Sequence, residues 1–370
     1  MKILQLVTKR QYRGAEVFAA NLSSELINLG HSIFFVGLYE NGENVLTVKD
    51  AENLDLSKCR SRALSLKLVR KLDDLIKKIQ PDIIQCNGSD TLKYMVAASY
   101  LSKTPPILYR NISMISEWVT HGYKRLIYKY LFTRISHVSS VGENAIADFI
   151  KTFNYPENRT SVIRRGIPIK NVNIQAATIH LKNELGLGSK DQIVMHIGNF
   201  SPEKNHKFLI EIFTSISKNY PHIKLVCLGT GTLFKEVKES IVKNKLTQNV
   251  YLLGFREDTH ELLAGSDFFV LSSKVEGVPG VILEAASQGK PAISTNVGGV
   301  SEVLINNKTG FIVDDFNKKE FEERIIQLAQ NNKLRTKLGA NAYKQVVNHF
   351  NPVKNAKTFE DLYFKLIKKY

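Results

Sequence analysis

With 370 residues, 43% of them hydrophobic, the chain exceeds what one core usually organises, so two domains of roughly 150 to 200 residues each are expected. Its 51 Lys and Arg against 35 Asp and Glu leave a net charge of +16, which favours anionic partners such as nucleotide diphosphates, lipid surfaces or nucleic acid. No apolar run reaches the roughly twenty residues that span a bilayer, and Cys59, Cys86 and Cys227 are too scattered for a disulfide framework or, with the nine histidines, for a metal site.

The chain opens on a strand at residues 3–7 without a signal-peptide pattern, so a cytoplasmic protein with reduced thiols is expected. Arg13-Gly14-Ala15-Glu16 starts a helix over 15–29, closed by Gly30, and a strand follows at 33–37. Gly14 leaves that helix N-terminus uncovered, as phosphate sites favour. Residues 64–79 place Leu68, Leu72, Leu75 and Ile79 on one stripe, with Lys67, Arg70, Lys71, Lys77 and Lys78 away from it: a helix buried against its sheet with a solvated basic back. Strands follow at 82–85 and 107–109, the second running into Arg110 and Asn111. Residues 123–134 differ from the basic helix, because Tyr123, Tyr128, Tyr130 and Phe132 alternate all round with Lys124, Arg125, Lys129 and Arg134. That pattern suits the headgroup region of an anionic membrane, so the first domain is expected to rest on the inner face of the cytoplasmic membrane. Nucleic acid is not an expected partner, since no helix-turn-helix, finger or RNA-binding signature accompanies the charge.

After a strand at 137–140, the polar, Asn-rich stretch 168–178 is taken as the linker. A second series of strands occupies 193–197, 223–228, 250–253, 268–271 and 292–294, and a helix over 352–369 ends the chain. Strands alternating with helices predict an α/β fold with two mostly parallel sheets, in which ligands bind beyond the strand C-termini.

Chemistry concentrates in the second half. Glu276 and Glu284 lie in the run 271–291, with seven residues between them. The apolar strand 268–271 leads into a Gly/Pro loop, Glu276-Gly277-Val278-Pro279-Gly280-Val281, and a helix begins near Pro279 or Gly280, so the two carboxylates flank one helix N-terminus. Such an end suits a phosphate, and carboxylates accept hydrogen bonds from sugar hydroxyls. Glutamates at this spacing are commonly just solvated, so the neighbouring motifs carry the argument. One is Val194-Met-His-Ile-Gly198-Asn199-Phe-Ser-Pro-Glu-Lys204-Asn205, a strand, a loop and a lysine at a helix start. Gly229 ends one further strand, and Phe255 and Arg256 follow another.

Together these segments resemble the Glu-x7-Glu signature and the phosphate-lysine loop of retaining glycosyltransferases of family four, with the GT-B fold. The resemblance implies two Rossmann-like domains facing a central cleft. The acceptor-side domain would span 1–168 plus a returning C-terminal helix at about 353–370, and the donor-binding domain 169–352. It implies a sugar moved from a nucleotide-diphosphate sugar to a glycan or lipid-linked acceptor, in bacterial surface polysaccharide synthesis, without a metal or other cofactor. Glu284 would then hold the ribose, Glu276 the transferred sugar and Lys204 the diphosphate. Gly14, Gly198, Asn199, Gly229, Phe255, Arg256, Gly277, Pro279, Gly280 and Val281 would line the nucleotide sugar. Departures are specific: Arg13 stands for the family's first glycine, Asn199 for its clamp arginine, and Arg110 with Asn111 on the acceptor side where it carries a histidine. A nucleotide-sugar epimerase or a non-catalytic nucleotide-binding protein are the alternative readings.

Overall fold

The computed structural model describes residues 1–60 and 63–370. It forms two compact units, Met1–Gly166 with Phe350–Tyr370, and Ile167–His349.

The first unit carries seven strands: β1 (Lys2–Lys9), β2 (Ser32–Tyr39), β3 (Glu52–Asp55), β4 (Ile83–Asn87), β5 (Ile107–Asn111), β6 (His137–Ser140) and β7 (Thr160–Val162). They pair in parallel in the order β3-β2-β1-β4-β5-β6-β7. Residues Ile3 to Val7 are all buried, the continuous burial of a parallel strand covered on both faces. Gln5 within that run needs polar partners. The C-terminal helix Pro352–Lys369 supplies one, because Tyr363 accepts from Gln5 Nε2 at 3.3 Å and donates to Gln85 Oε1 at 2.6 Å. Phe359 of the same helix packs on Phe18, with ring centroids 5.9 Å apart, in a cluster with Ile3, Leu22 and Ile33.

The second unit carries β8 (Gln192–Ile197), β9 (Ile223–Leu228), β10 (Val250–Gly254), β11 (Phe268–Leu271), β12 (Ala292–Thr295) and β13 (Gly310–Val313), parallel in the order β10-β9-β8-β11-β12-β13. In each sheet the first strand lies inside and the chain then works outward in both directions. The point of reversal is β1 beside β4 in one unit and β8 beside β11 in the other. Open α/β sheets bind ligands at that reversal, outside the strand C-termini.

Three sequence expectations need correction. The strand expected to end at Tyr109 continues through Asn111, because Arg110 and Asn111 pair with Ser139 and Ser140 of β6. Inside the expected linker a helix, Ile174–Glu184, begins; the Asn173 side chain caps it by accepting from the Ala176 N–H at 3.0 Å, so the asparagine that read as loop polarity is a helix start signal. Edge strands β3, β7 and β13 were not foreseen: β3 and β7 are largely polar and only half-buried, and β13 opens on a glycine. The basic helix, Leu66–Ile79, buries Leu68, Leu72 and Ile79 and exposes its five basic residues, while Leu75 stays half-buried.

Candidate active site

Lys204 ends a single 3-10 turn, Pro202–Lys204, that follows β8; Asn205, left-handed at φ 53°, then redirects the chain into the helix His206–Asn219. Glu276 sits in the loop between β11 and the helix Gly280–Ser287, whose N-cap is Pro279. Because β8 and β11 are neighbours at the reversal, the two loops meet. Lys204 Nζ donates to Glu276 Oε1 at 2.5 Å, and Ser273 Oγ donates to the same oxygen at 2.6 Å. Ser272 Oγ turns the other way and donates to the carbonyls of Lys204 and Asn205 at 3.0 and 3.3 Å. The Lys274 N–H donates to the Glu203 carbonyl at 2.7 Å, a backbone tie between the same two loops.

Two glycines make this close approach possible. Gly229, at φ +130°, would place a Cβ 2.1 Å from the Gly198 carbonyl oxygen, and its N–H donates to Gly254 O at 2.7 Å, laying the loops after β8, β9 and β10 side by side. Gly298, at φ +52°, would place one 1.8 Å from the carbonyl oxygen of Glu276, while the Gly299 N–H donates to Gly277 O at 2.6 Å. The chain after β12 is therefore the wall that holds Glu276 and Gly277.

Beneath the lysine lies a buried aromatic stack. The Phe200 ring lies on His206 with centroids 3.9 Å apart, and His196 meets His206 edge-on at 4.7 Å. His196 Nδ1 lies 3.0 Å from Val270 O; a carbonyl only accepts, so this nitrogen carries the proton of the neutral ring. Burial, chiefly, with Lys204 adding to it, pushes His196 down to about 4, and burial with His196 and Lys204 pushes His206 down to about 2. Both rings stay neutral near neutrality, so neither adds a positive charge beside Lys204.

The remaining expected residues divide between the units. Gly198, exposed Asn199, Gly229, Phe255, Arg256, Gly277, Pro279, Gly280, Val281 and Glu284 occupy loops or helix starts at the C-terminal ends of the strands in the second unit. Arg256 is held by Asp258 and Glu184, each at 2.5 Å, and these bonds raise its pKa further; its charge is thereby doubly countered. Glu284 projects from its helix, and its charge opposes the burial and the Lys170 ammonium that together lower the His260 pKa, so these three groups share one neighbourhood. In the first unit Gly14 is the first residue of the helix Gly14–Asn28, with nothing within 4 Å of an added Cβ: open space at a helix N-terminus. Arg110 and Asn111 are fully buried. The Arg110 guanidinium lies 4.7 Å from the Phe18 ring centroid and donates to Ser140 O at 2.9 Å, and Asn111 Nδ2 donates to Ala145 O at 3.2 Å. Burial lowers the Arg110 pKa to about 9.

Ser272, Ser273, Gly298, His196 and His206 escaped the sequence reading. The Ser-Ser dipeptide sits between a strand and a signature glutamate, and Gly298-Gly299 follows a strand; both positions are the available signals. Among the described residues no group of three or more His, Cys, Asp or Glu side chains is placed to hold a metal ion, and no helix is long and apolar enough to cross a membrane.

Two family models match the chain in succession: "Glycosyltransferase Family 4" over residues 12–171 and "Glycosyl transferases group 1" over residues 178–345. The chain belongs to the family-four, group 1 glycosyltransferases. Among curated relatives, this glycosyltransferase is 27% identical over 322 residues to an Escherichia coli UDP-Gal:alpha-D-GlcNAc-diphosphoundecaprenol alpha-1,3-galactosyltransferase, covering 84% of the present chain and 82% of that protein. It is 22% identical over 268 residues to a Campylobacter jejuni N-acetylgalactosaminyltransferase acting on a diphospho-undecaprenol-linked sugar, covering 71% and 70%. The fold matches that of HepE from Anabaena, solved with UDP and glucose, at a TM-score of 0.84 and 21% identity over 98% of this chain and 99% of that one. It also matches WaaG, a glycosyltransferase involved in lipopolysaccharide biosynthesis, at 0.76 and 18% over 96% and 99%. The two parallel-sheet units are thus the Rossmann-like halves of a GT-B enzyme.

Proposed function

We propose that this glycosyltransferase moves a sugar, with retention of anomeric configuration and without a metal ion, from a nucleotide-diphosphate sugar to a lipid-linked glycan acceptor in surface polysaccharide assembly. The observation that carries the reading is the meeting of Lys204 and Glu276 at the sheet reversal of the second unit, in the loop that leads into the helix Gly280–Ser287, whose N-terminus no side chain caps. As the bond to the sugar breaks, negative charge grows on the diphosphate; an ammonium and a helix N-terminus stabilise it where it forms, so no protein acid is needed. Glu276 orients the sugar, and the departing phosphate takes the acceptor proton on the same face. Glu284, on the helix that follows, holds the ribose hydroxyls. The lipid-linked acceptors named for the Escherichia coli and Campylobacter jejuni relatives support the acceptor class.

A panel of UDP-, GDP- and dTDP-sugars with lipid-linked acceptors, run in chelator, tests this by following released nucleotide and the fate of the sugar. Product from donor alone would mean an epimerase, and bound but unconsumed donor a non-catalytic binding protein. Loss of all turnover in chelator would end the metal-free mechanism. Glu284→Ala is expected to weaken nucleotide binding by about tenfold or more, as loss of hydrogen bonds to a carboxylate does.

The helix Gly122–Thr133 supports a membrane-facing first unit. It leaves Tyr123, Leu126, Ile127 and Tyr130 exposed, Leu126 by 70%, with Arg125 and Lys129 beside them; Trp118 is exposed just before it. Anionic liposomes are expected to sediment the protein at low salt, and Lys124→Glu, Arg125→Glu and Lys129→Glu together to weaken partitioning by about a hundredfold or more, at about 1 kcal/mol per basic residue near the surface. No sedimentation of the wild type, or equal sedimentation of the triple variant, would count against it.

A further inference from the structure

Lys204 is paired with an acidic side chain of its own unit. Its ammonium and the Ser273 hydroxyl both donate to one oxygen of Glu276, at 2.5 and 2.6 Å, where the two ionic side chains are only 23% and 10% exposed. Solvent therefore screens this pair less than a surface pair. A diphosphate seated on the same ammonium would crowd its negative oxygens against the Glu276 carboxylate, and like charges at contact distance are not tolerated in such a setting. One of the two anions must leave.

The loop after β11 is built for this arrangement. Ser272 and Ser273 are fully buried neighbours that serve opposite partners, Ser272 fixing the backbone of the lysine turn and Ser273 fixing the glutamate carboxylate. Ser273 is itself held from β12, where Thr295 Oγ1 donates to its carbonyl at 2.7 Å. The lysine backbone and the glutamate carboxylate thus hang from one rigid dipeptide.

Resting on the functional reading above, we propose that Ser272-Ser273 is a positioning element that holds Glu276 as an internal counterion on Lys204, which the diphosphate of the donor displaces, releasing Glu276 toward the sugar. The same carboxylate returns to Lys204 once the sugar has gone and so helps the nucleoside diphosphate depart. An ion pair closed about nine-tenths of the time weakens the apparent affinity for diphosphate about tenfold, because only the open fraction is competent to bind.

Calorimetric titration of the full chain with UDP, GDP and dTDP tests this, with transfer measured alongside. Glu276→Gln is expected to bind the preferred diphosphate about tenfold more tightly than wild type while losing transfer. Ser273→Ala, which keeps the carboxylate but loosens its hold, is expected to lower Kd by about threefold and kcat by about tenfold, and Ser273→Thr to restore both. A positioning role moves Kd and kcat in the same downward direction; a merely structural defect raises Kd. Unchanged or weaker diphosphate binding in both Glu276→Gln and Ser273→Ala, at wild-type thermal stability, overturns the proposal. If Glu276→Gln does not fold, Ser273→Ala decides alone. A wild-type chain that binds none of the three diphosphates removes the functional reading itself, which is a different failure from a variant that binds no tighter.

Discussion

Replacing Lys204 with alanine is expected to lower turnover by on the order of a hundredfold or more, the usual cost of removing one preorganised electrostatic donor. The reason is local. Asn199 is an amide, Arg256 is countered by Glu184 and Asp258, and His196 and His206 are neutral by burial, so these groups bring no free positive charge to the leaving diphosphate. Lys204→Met keeps the apolar stem and removes only the charge, and is expected to show nearly the same loss of kcat. The substitution also leaves the Glu276 carboxylate without its ammonium, at a stability cost between the ~1 kcal/mol of an exposed pair and the ~3 kcal/mol of a buried one. Steady-state kinetics and a thermal melt separate the two effects. Turnover within threefold of wild type in both variants would remove the lysine from the chemistry.

The second large effect is expected at a residue that carries no charge of its own. Gly298→Ala should reduce transfer by about a hundredfold, because a Cβ 1.8 Å from the Glu276 carbonyl oxygen forces the loop aside, and a displacement of about 1 Å in a reacting group has that consequence. The left-handed backbone at φ +52° adds about 1 to 2 kcal/mol of strain for a residue with a side chain. Gly289→Ala is the control: at φ +67° with nothing within 4 Å it meets the same backbone strain and no collision. It is expected to lose stability and keep transfer. If the two alanines lower kcat equally, strain alone explains the effect and the wall assigned to Gly298 falls.

Much of the second unit was legible in the residues. The bounds expected for strands 223–228 and 268–271 are those observed, since short runs that are apolar apart from Lys224, with Gly229 after the first and Asp267 before the second, leave little choice for parallel strands. The helix expected to begin near Pro279 or Gly280, from the Gly/Pro loop, begins at Gly280. The first unit was read less well. The strand expected over 107–109 stops before Arg110 and Asn111, yet β6 pairs both into β5 and the Phe18 ring shelters the guanidinium. A local pattern carries no information about a partner that arrives from a distant stretch of chain.

That difference also divides the site. Residue type and spacing alone determined the alternating strands and helices, the Glu276 and Glu284 pair around one helix start, and Lys204 at another, because propensity, capping and glycine placement act over a few neighbours. Tertiary structure decided that β8 lies beside β11, which brings Lys204 within 2.5 Å of a carboxylate 72 residues away; that Ser272 and Ser273 hold the two partners; and that Gly298 closes the wall. Those outcomes depend on strand order, and strand order is set by the packing of whole sheets and helices rather than by any short run of residues.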